Sequence, residues 1–426
     1  MSKISTETLR EVLGDSQAFV RQVRVIKRDF KFEKNASYVF VGIRRAGKSY
    51  LLFQRMQELA SQGVPWEKFL YVNFEDERLI GLQANDLNRL LECHYEKSDE
   101  EPILFLDEIQ NIDGWEKFVR RMTDTKRIVH VTGSNAKMLS RDVATTLGGR
   151  LFVKEIFPYS FPEFLTAKHF DFSKLEQTTA NRGKIKRLFK EYFYFGGFPE
   201  SLLYQDKRGY ISSVYQKIYL GDIAARNSLG NVNTLQIVIK KIAESIKQPI
   251  SFNRITNVVN SIGCKVGINK VIEMINGAVD SELLQPVRNI SAKLSEKESK
   301  PKYYFTDNGL LNLFLSDPDS SLHENLVAVS LLRLYGRENV FFHNSVSAEV
   351  DFYVPDASLA IQASLEILSK KTEAREISAL IKFNKYCPCK KNQIITLDTE
   401  DSITAEGLKI ELIPLWKFLF SNCSTQ

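Results

Sequence analysis

Eight residues, Gly42-Ile43-Arg44-Arg45-Ala46-Gly47-Lys48-Ser49, meet every fixed position of the pattern G-x-x-x-x-G-K-[ST]. Glycines at these places let the backbone turn tightly enough for its N–H groups to wrap a phosphate. A helix starting at the loop adds the positive end of its dipole. Lys48 offers a point charge to β- and γ-phosphates, and Ser49 offers a hydroxyl to Mg²⁺. The nucleotide-binding set is therefore Gly42, Arg44, Arg45, Ala46, Gly47, Lys48, Ser49 and Tyr50, with ATP and Mg²⁺ as the implied ligands. Farther along, the apolar run Ile103-Leu104-Phe105-Leu106 ends in Asp107-Glu108. Asp107 is suited to hold Mg²⁺ directly or through water. Glu108 is suited to take the proton of an attacking water.

Other polar residues are candidates for the same chemistry. The run 128–132 ends in Gly133-Ser134-Asn135, and a polar side chain there can meet a γ-phosphate or orient water. Asn135 is the first choice and Ser134 the second, while either residue equally suits the cap of a following helix at 136–139. Arg150 follows the pair Gly148-Gly149 and is a candidate to offset γ-phosphate charge, on its own nucleotide or on a neighbour's. Arg44 and Arg45 are further candidates, and Glu75 and Asp76 either line the cleft or are simply solvated.

These residues need a frame to hold them. Short apolar runs at 38–41, 69–74, 103–106 and 127–132 alternate with helical spacing after the P-loop, at 82–93 and at 115–123. Such runs imply parallel strands covered on both faces. The expected fold class is α/β, a doubly wound parallel P-loop NTPase sheet. A helical lead-in is expected over 6–29. Beyond about residue 162 strand-like runs give way to helices at 184–194, 211–225 and 235–246. The stretch 249–290 then reads as helix, turn, helix and strand, which suits a winged helix, and the polar run 291–300 reads as an exposed wing or linker. The last hundred or so residues return to α/β character. Helices are expected at 324–335 and 373–386, and strands at 340–343, 349–354, 359–362 and 393–397.

The composition adds little beyond a class. A chain of 426 residues fits about three domains. Its apolar and charged fractions, 43% and 26%, are those of a soluble globular protein. The net charge of +6 permits nucleic-acid contact without arguing for it. Cys93, Cys264, Cys387, Cys389 and Cys423 match neither zinc-ligand nor redox spacing. Together with the lack of an apolar leader or membrane-length run, they make a cytoplasmic protein the expectation.

The P-loop, Leu106-Asp107-Glu108-Ile109-Gln110, Thr132-Gly133-Ser134-Asn135 and Pro158-Tyr159-Ser160-Phe161-Pro162-Glu163 together resemble a prokaryotic family of AAA-type ATPases with a C-terminal domain of unknown function. Tyr194-Phe195-Gly196-Gly197-Phe198-Pro199-Glu200, Thr306-Asp307-Asn308-Gly309-Leu310 and His323-Glu324-Asn325-Leu326 extend the resemblance. It implies an ATPase core over 1–165, a helical lid over 166–245, a winged-helix-like module over 246–316 and a degenerate PD-(D/E)XK-nuclease-like α/β domain over 317–426. On that pattern Glu324 and Asp351 stand where two of the nuclease acids belong. Gln362 and Ser364 stand where a third acid and a lysine are needed, and Glu366 is the one displaced acid nearby. The resemblance thus implies ATP hydrolysis without nuclease activity. A protein partner is favoured over DNA, since Glu273, Asp280 and Glu282 dilute the basic Arg254, Lys265 and Lys270. Neither a membrane association nor a particular oligomeric state is implied.

Overall fold

Five apolar runs build the sheet that carries the P-loop: β1 (Ser37–Val41), β2 (Phe69–Asn73), β3 (Ile103–Asp107), β4 (Val129–Gly133) and β5 (Leu151–Glu155). The computed structural model describes residues 4–134, 145–171, 178–225, 232–346, 348–365 and 370–421. Asn135, the expected helix at 136–139, Glu366 and Cys423 lie outside the described residues. The strand order is β2-β3-β4-β1-β5, and every pairing is parallel. Strands β1, β3 and β4 are buried throughout, as expected of a parallel sheet covered on both faces. The edge strand β5 instead exposes Phe152 and Val153.

The lead-in helix, Thr6–Gln22, begins at Ser5, whose hydroxyl accepts the Thr8 amide at 3.0 Å. It buries Leu9, Val12 and Val20 and ends well before the expected residue 29, because Val23 already takes an extended conformation. Leu70, Val72, Leu104, Leu106, Val129 and Val131 continue the core it joins.

The chain divides into two compact units, Met1–Ile156 and Phe157–Gln426. In the second unit the helix Thr179–Phe195 and the helix Lys207–Lys217 come first, the latter running on as a π-helix over Ile218–Ala225 where one α-helix was expected. Helices Phe252–Ser261 and Ile268–Asp280 then lead to an antiparallel hairpin of β6 (Leu284–Asn289) and β7 (Lys302–Phe305). The run expected as a wing or linker holds a short exposed helix, Leu294–Ser299. Strands β8 (Phe341–Asn344), β9 (Glu349–Val354), β10 (Leu359–Ala363), β11 (Lys391–Thr396), β12 (Asp401–Ala405) and β13 (Leu408–Pro414) follow. All eight form one sheet in the order β12-β13-β11-β10-β9-β8-β6-β7. The sequence boundary expected at 316/317 therefore falls inside a single sheet, because β6 pairs with β8 through Arg288–Phe341 and Asn289–Phe342. No described helix is long and apolar enough to cross a membrane.

Candidate nucleotide site

The P-loop leaves the carboxyl end of β1 and enters the helix Lys48–Ser61. Gly47, with φ +93°, makes the left-handed turn at the helix start. At Gly42 a side chain has no room, since a Cβ would lie 2.1 Å from the Ile156 carbonyl oxygen. Arg45 is also left-handed, at φ 65°. Lys48 is buried. Its Nζ donates to the carbonyls of Gly42 (3.0 Å) and Ile43 (3.1 Å) and lies 3.8 Å from Glu108 Oε1. Arg44 donates to Glu75 at 2.7 Å, which brings that acid to the loop, whereas Asp76 binds Arg78 in the turn beyond β2. The Ala46 carbonyl accepts from Arg28 at 3.1 Å, and Tyr50 is largely exposed on the following helix, with its ring against Phe53.

Asp107 closes β3 and is buried among hydroxyls. Tyr71 on β2 donates to its Oδ2 at 2.9 Å, Thr132 on β4 donates to its Oδ1, and Ser49 bonds the same carboxylate. Burial, reinforced by the neighbouring Glu108 charge, lifts the Asp107 pKa to about 6 against the pull of those three donors. Burial also pushes the Tyr71 hydroxyl well above its usual range. Glu108 leaves the strand in a left-handed conformation (φ 51°, ψ 44°), its amide donating to Thr132 Oγ1 at 2.9 Å. Burial works to raise the Glu108 pKa, but Lys48, Gln110, Arg44 and Ser134 outweigh it and hold the carboxyl below its ordinary value. Ser134, at the tip of β4, is buried beside it.

Of the expected residues, the structure thus gathers Lys48, Ser49, Asp107, Glu108 and Ser134 at one edge of the sheet. Arg150 is not among them. It precedes Leu151, which pairs with Ser37 at the amino end of β1, and it binds Asp124 at 2.6 Å. About six residues of strand at ~3.3 Å each place its backbone roughly 20 Å from the loop. Tyr71, Thr132, Gln110 and Arg28 were not singled out by sequence. For Tyr71 and Thr132 the signal was register: each lies on a strand adjoining β3, on the face Asp107 uses.

A second polar cluster occupies the other unit. Lys302 of β7 is fully buried and donates to Glu324 and to Asp351, each at 3.2 Å. Tyr304, two residues on and on the same face, donates to Glu324 at 2.8 Å. Gln362 is spent on the backbone, accepting from the Asp351 amide and donating to the Glu349 carbonyl. Nearby, Asp307 accepts from the amides of Gly197 (2.7 Å) and Gly309 (2.8 Å), and Asn308 and Asn325 bond each other and the backbone at Phe193, Phe305 and Leu322. The stretches around 194–200, 306–310 and 323–326 therefore meet in a knot of backbone-directed hydrogen bonds.

Residues 34–165 match the family model described as an AAA domain, and residues 186–321 match one described as a domain of unknown function. An uncharacterized protein of Methanocaldococcus jannaschii is 32% identical over 424 residues, spanning 96% of this chain and 94% of its own length. The chain belongs to the family of that protein. Its AAA domain, with the parallel sheet and P-loop described above, is that of a prokaryotic AAA-type P-loop ATPase. An uncharacterized protein of Haemophilus influenzae is 29% identical over 365 residues, with 83% of this chain and 88% of the relative covered. Among solved structures, a Walker-type ATPase of Pyrococcus abyssi is 15% identical at a TM-score of 0.40, over 73% of this chain and 96% of that one, a likeness too loose to build on.

Proposed function

We propose that this member of the family is a Mg²⁺-dependent ATPase whose nucleotide state switches a protein-interaction surface in its C-terminal half. The observation that carries the reading is the buried cluster at one sheet edge, in which Ser49 bonds Asp107 while Lys48 lies 3.8 Å from Glu108. The donor set suits magnesium, being a hydroxyl and a carboxylate, both hard oxygens. Among the described residues no group of three or more His, Cys, Asp or Glu could hold a metal. The cation would therefore be shared with phosphate oxygens, as is usual for Mg²⁺ in such sites. Bound Mg²⁺ would supply charge neutralisation at the phosphates. Ser49 and Asp107 would hold it, Lys48 would bind the phosphates, and Glu108, kept ionised at its position, would accept the proton of the attacking water. Asn135 is assigned to sensing the γ-phosphate. Arg150, remote along β5, would act on a nucleotide only if that nucleotide belonged to a second copy.

A protein partner is preferred to DNA because Lys270, on the second helix of the winged-helix-like segment, is already engaged by Glu273 at 2.6 Å. A nuclease role is not assigned to Glu324 and Asp351, since Lys302 already engages one oxygen of each and Gln362 and Ser364 supply no further charged group. Replacing Glu108→Gln tests the ATPase reading. ATP binding should persist, while turnover falls by roughly 10²–10⁴-fold, the usual worth of a general base. Unchanged turnover would remove Glu108 from that role, and a rise in wild-type turnover on adding DNA would overturn the preference for a protein partner.

A further inference from the structure

Glu108 has an uncommon task for a side chain at a strand end. Its backbone is left-handed, so neither a strand ladder nor a helix fixes the direction of its side chain. The amide is held by Thr132, but that bond leaves the carboxylate free to rotate. Lys48 faces it only at 3.8 Å, and Ser134, at the tip of β4, also bonds the carboxylate. The closest restraint comes from two residues ahead, on the 3₁₀ turn Ile109–Asn111. There Gln110 Nε2 donates to Glu108 Oε2 at 2.5 Å and reaches Ser134 Oγ at 3.5 Å. The other end of the same amide, Oε1, is buried and has no hydrogen-bond partner among the described residues. An amide that spends its donor on a carboxylate and keeps a buried acceptor idle beside it is poorly explained by packing alone.

We propose that Gln110 is a positioning residue for hydrolysis, its amide nitrogen fixing the Glu108 carboxylate in the rotamer that meets the attacking water. The idle Oε1 stands next to that carboxylate as a second acceptor for a polar hydrogen of the bound reactants. The inference rests on the ATPase reading above and deepens it. Removing the amide adds and loses no charge, so nucleotide affinity, which depends on the loop, Lys48 and Ser49, has no reason to change.

The test compares wild-type protein with Gln110→Met, which keeps length and removes both polar atoms, and with Gln110→Asn, which keeps the amide but shortens its reach. Steady-state ATP turnover, affinity for a non-hydrolysable ATP analogue and melting temperature are measured on each full chain. In Gln110→Met, kcat should fall roughly ten- to a hundredfold, less than the 10²–10⁴-fold lost when a general base is removed outright, with KM and analogue affinity unchanged. Gln110→Asn should lie between the two, and it serves alone if the Met variant does not fold. In a Glu108→Gln background, Gln110→Met should cost nothing further, since the carboxylate it serves is gone. A faster kcat in Gln110→Met, a parallel loss of analogue affinity, or a full additional loss in the double variant would each overturn the proposal. Absence of turnover in the wild-type protein would instead remove the ATPase reading, whereas wild-type kcat in both Gln110 variants would remove only this role.

Discussion

Replacing Lys302→Met should destabilise the C-terminal unit in a manner that grows with pH. The ammonium is fully buried, and its two carboxylate partners lie on different elements, Glu324 on the helix Asp319–Tyr335 and Asp351 on β9. Burial opposes its charge, but Glu324 and Asp351 outweigh burial and hold the Lys302 pKa above the ordinary value. Removing one member of such a group strands charge in the interior and typically costs about 3–5 kcal/mol. Glu324 can relieve part of that cost by taking a proton. Burial already lifts Glu324 to about 7 from 4.5, against the pull of Lys302. A carboxyl with a raised folded-state pKa is most favourable below its unfolded value, and stability falls as pH climbs toward the folded one. Without the ammonium the folded pKa rises again, so the decline continues past pH 7 at about 1.4 kcal/mol for each further unit. Near pH 5 the variant should approach wild type. Above neutrality it should melt about 6–20 °C lower, taking about 2–4 °C per kcal/mol for a unit of this size. Thermal unfolding followed from about pH 5 to about pH 9 measures the divergence, and hydrogen exchange of the β7 amides assigns it to this cluster. A melting difference that does not change with pH, or a variant as stable as wild type at high pH, would refute the reasoning.

Two further outcomes concern the ATPase domain. Tyr71→Phe removes one of three donors to Asp107. A bond to a charged group is worth about 1.5–3 kcal/mol, so the Mg²⁺ concentration for half-maximal turnover should rise roughly ten- to a hundredfold. Turnover at saturating Mg²⁺ should be retained, and an unchanged Mg²⁺ requirement would count against the contact. His130 sits on β4 among Phe32, Tyr38 and Phe105 with neither ring nitrogen hydrogen-bonded among the described residues, and burial, with Arg55 adding repulsion, drops its pKa to about 3. The unfolded chain therefore takes up a proton below about pH 6.5 that the folded chain refuses until about pH 3, so stability falls across that window by up to about 1.4 kcal/mol per unit. His130→Leu should remove this component of acid sensitivity, seen as a shallower fall of melting temperature with pH; an identical slope would exclude His130 as its source.

What the sequence disclosed and what it hid divide along a physical line. The P-loop, the Asp107-Glu108 strand end and the buried parallel strands depend on local patterns: fixed glycine spacing, apolar runs and helical periodicity. The order β2-β3-β4-β1-β5 depends on which strands pair, and no single run records that. Thr132 and Tyr71 become site residues only once β4 and β2 flank β3. Gln110 was visible only as part of the Leu-Asp-Glu-Ile-Gln stretch, because a hydrogen bond made two residues back across a left-handed Glu108 leaves no periodic trace. The hairpin β12–β13 was hidden for a different reason. Its two-residue turn is Glu406-Gly407, both at positive φ, and glutamate is a poor advertisement for a turn that asparagine or aspartate normally opens.

Lys302 illustrates the same division most sharply. In sequence it merely follows the charged run 291–300, while the acids Glu324 and Asp351 stand without a cation. Pairing of β7 with β6, and of β6 with β8, carries Lys302 into the interior, where alternation along β7 sets it on one face with Tyr304 and so against Glu324. The missing positive charge of the expected nuclease pattern is thus supplied from a strand that the linear reading had assigned to another module. Its position also changes its consequence. An ammonium shared by two carboxylates and sealed from solvent ties β7 to the helix Asp319–Tyr335 and to β9, so that removing it strands their charge in the interior. The same hairpin that made the domain boundary hard to read therefore carries the cation that Glu324 and Asp351 meet in the interior.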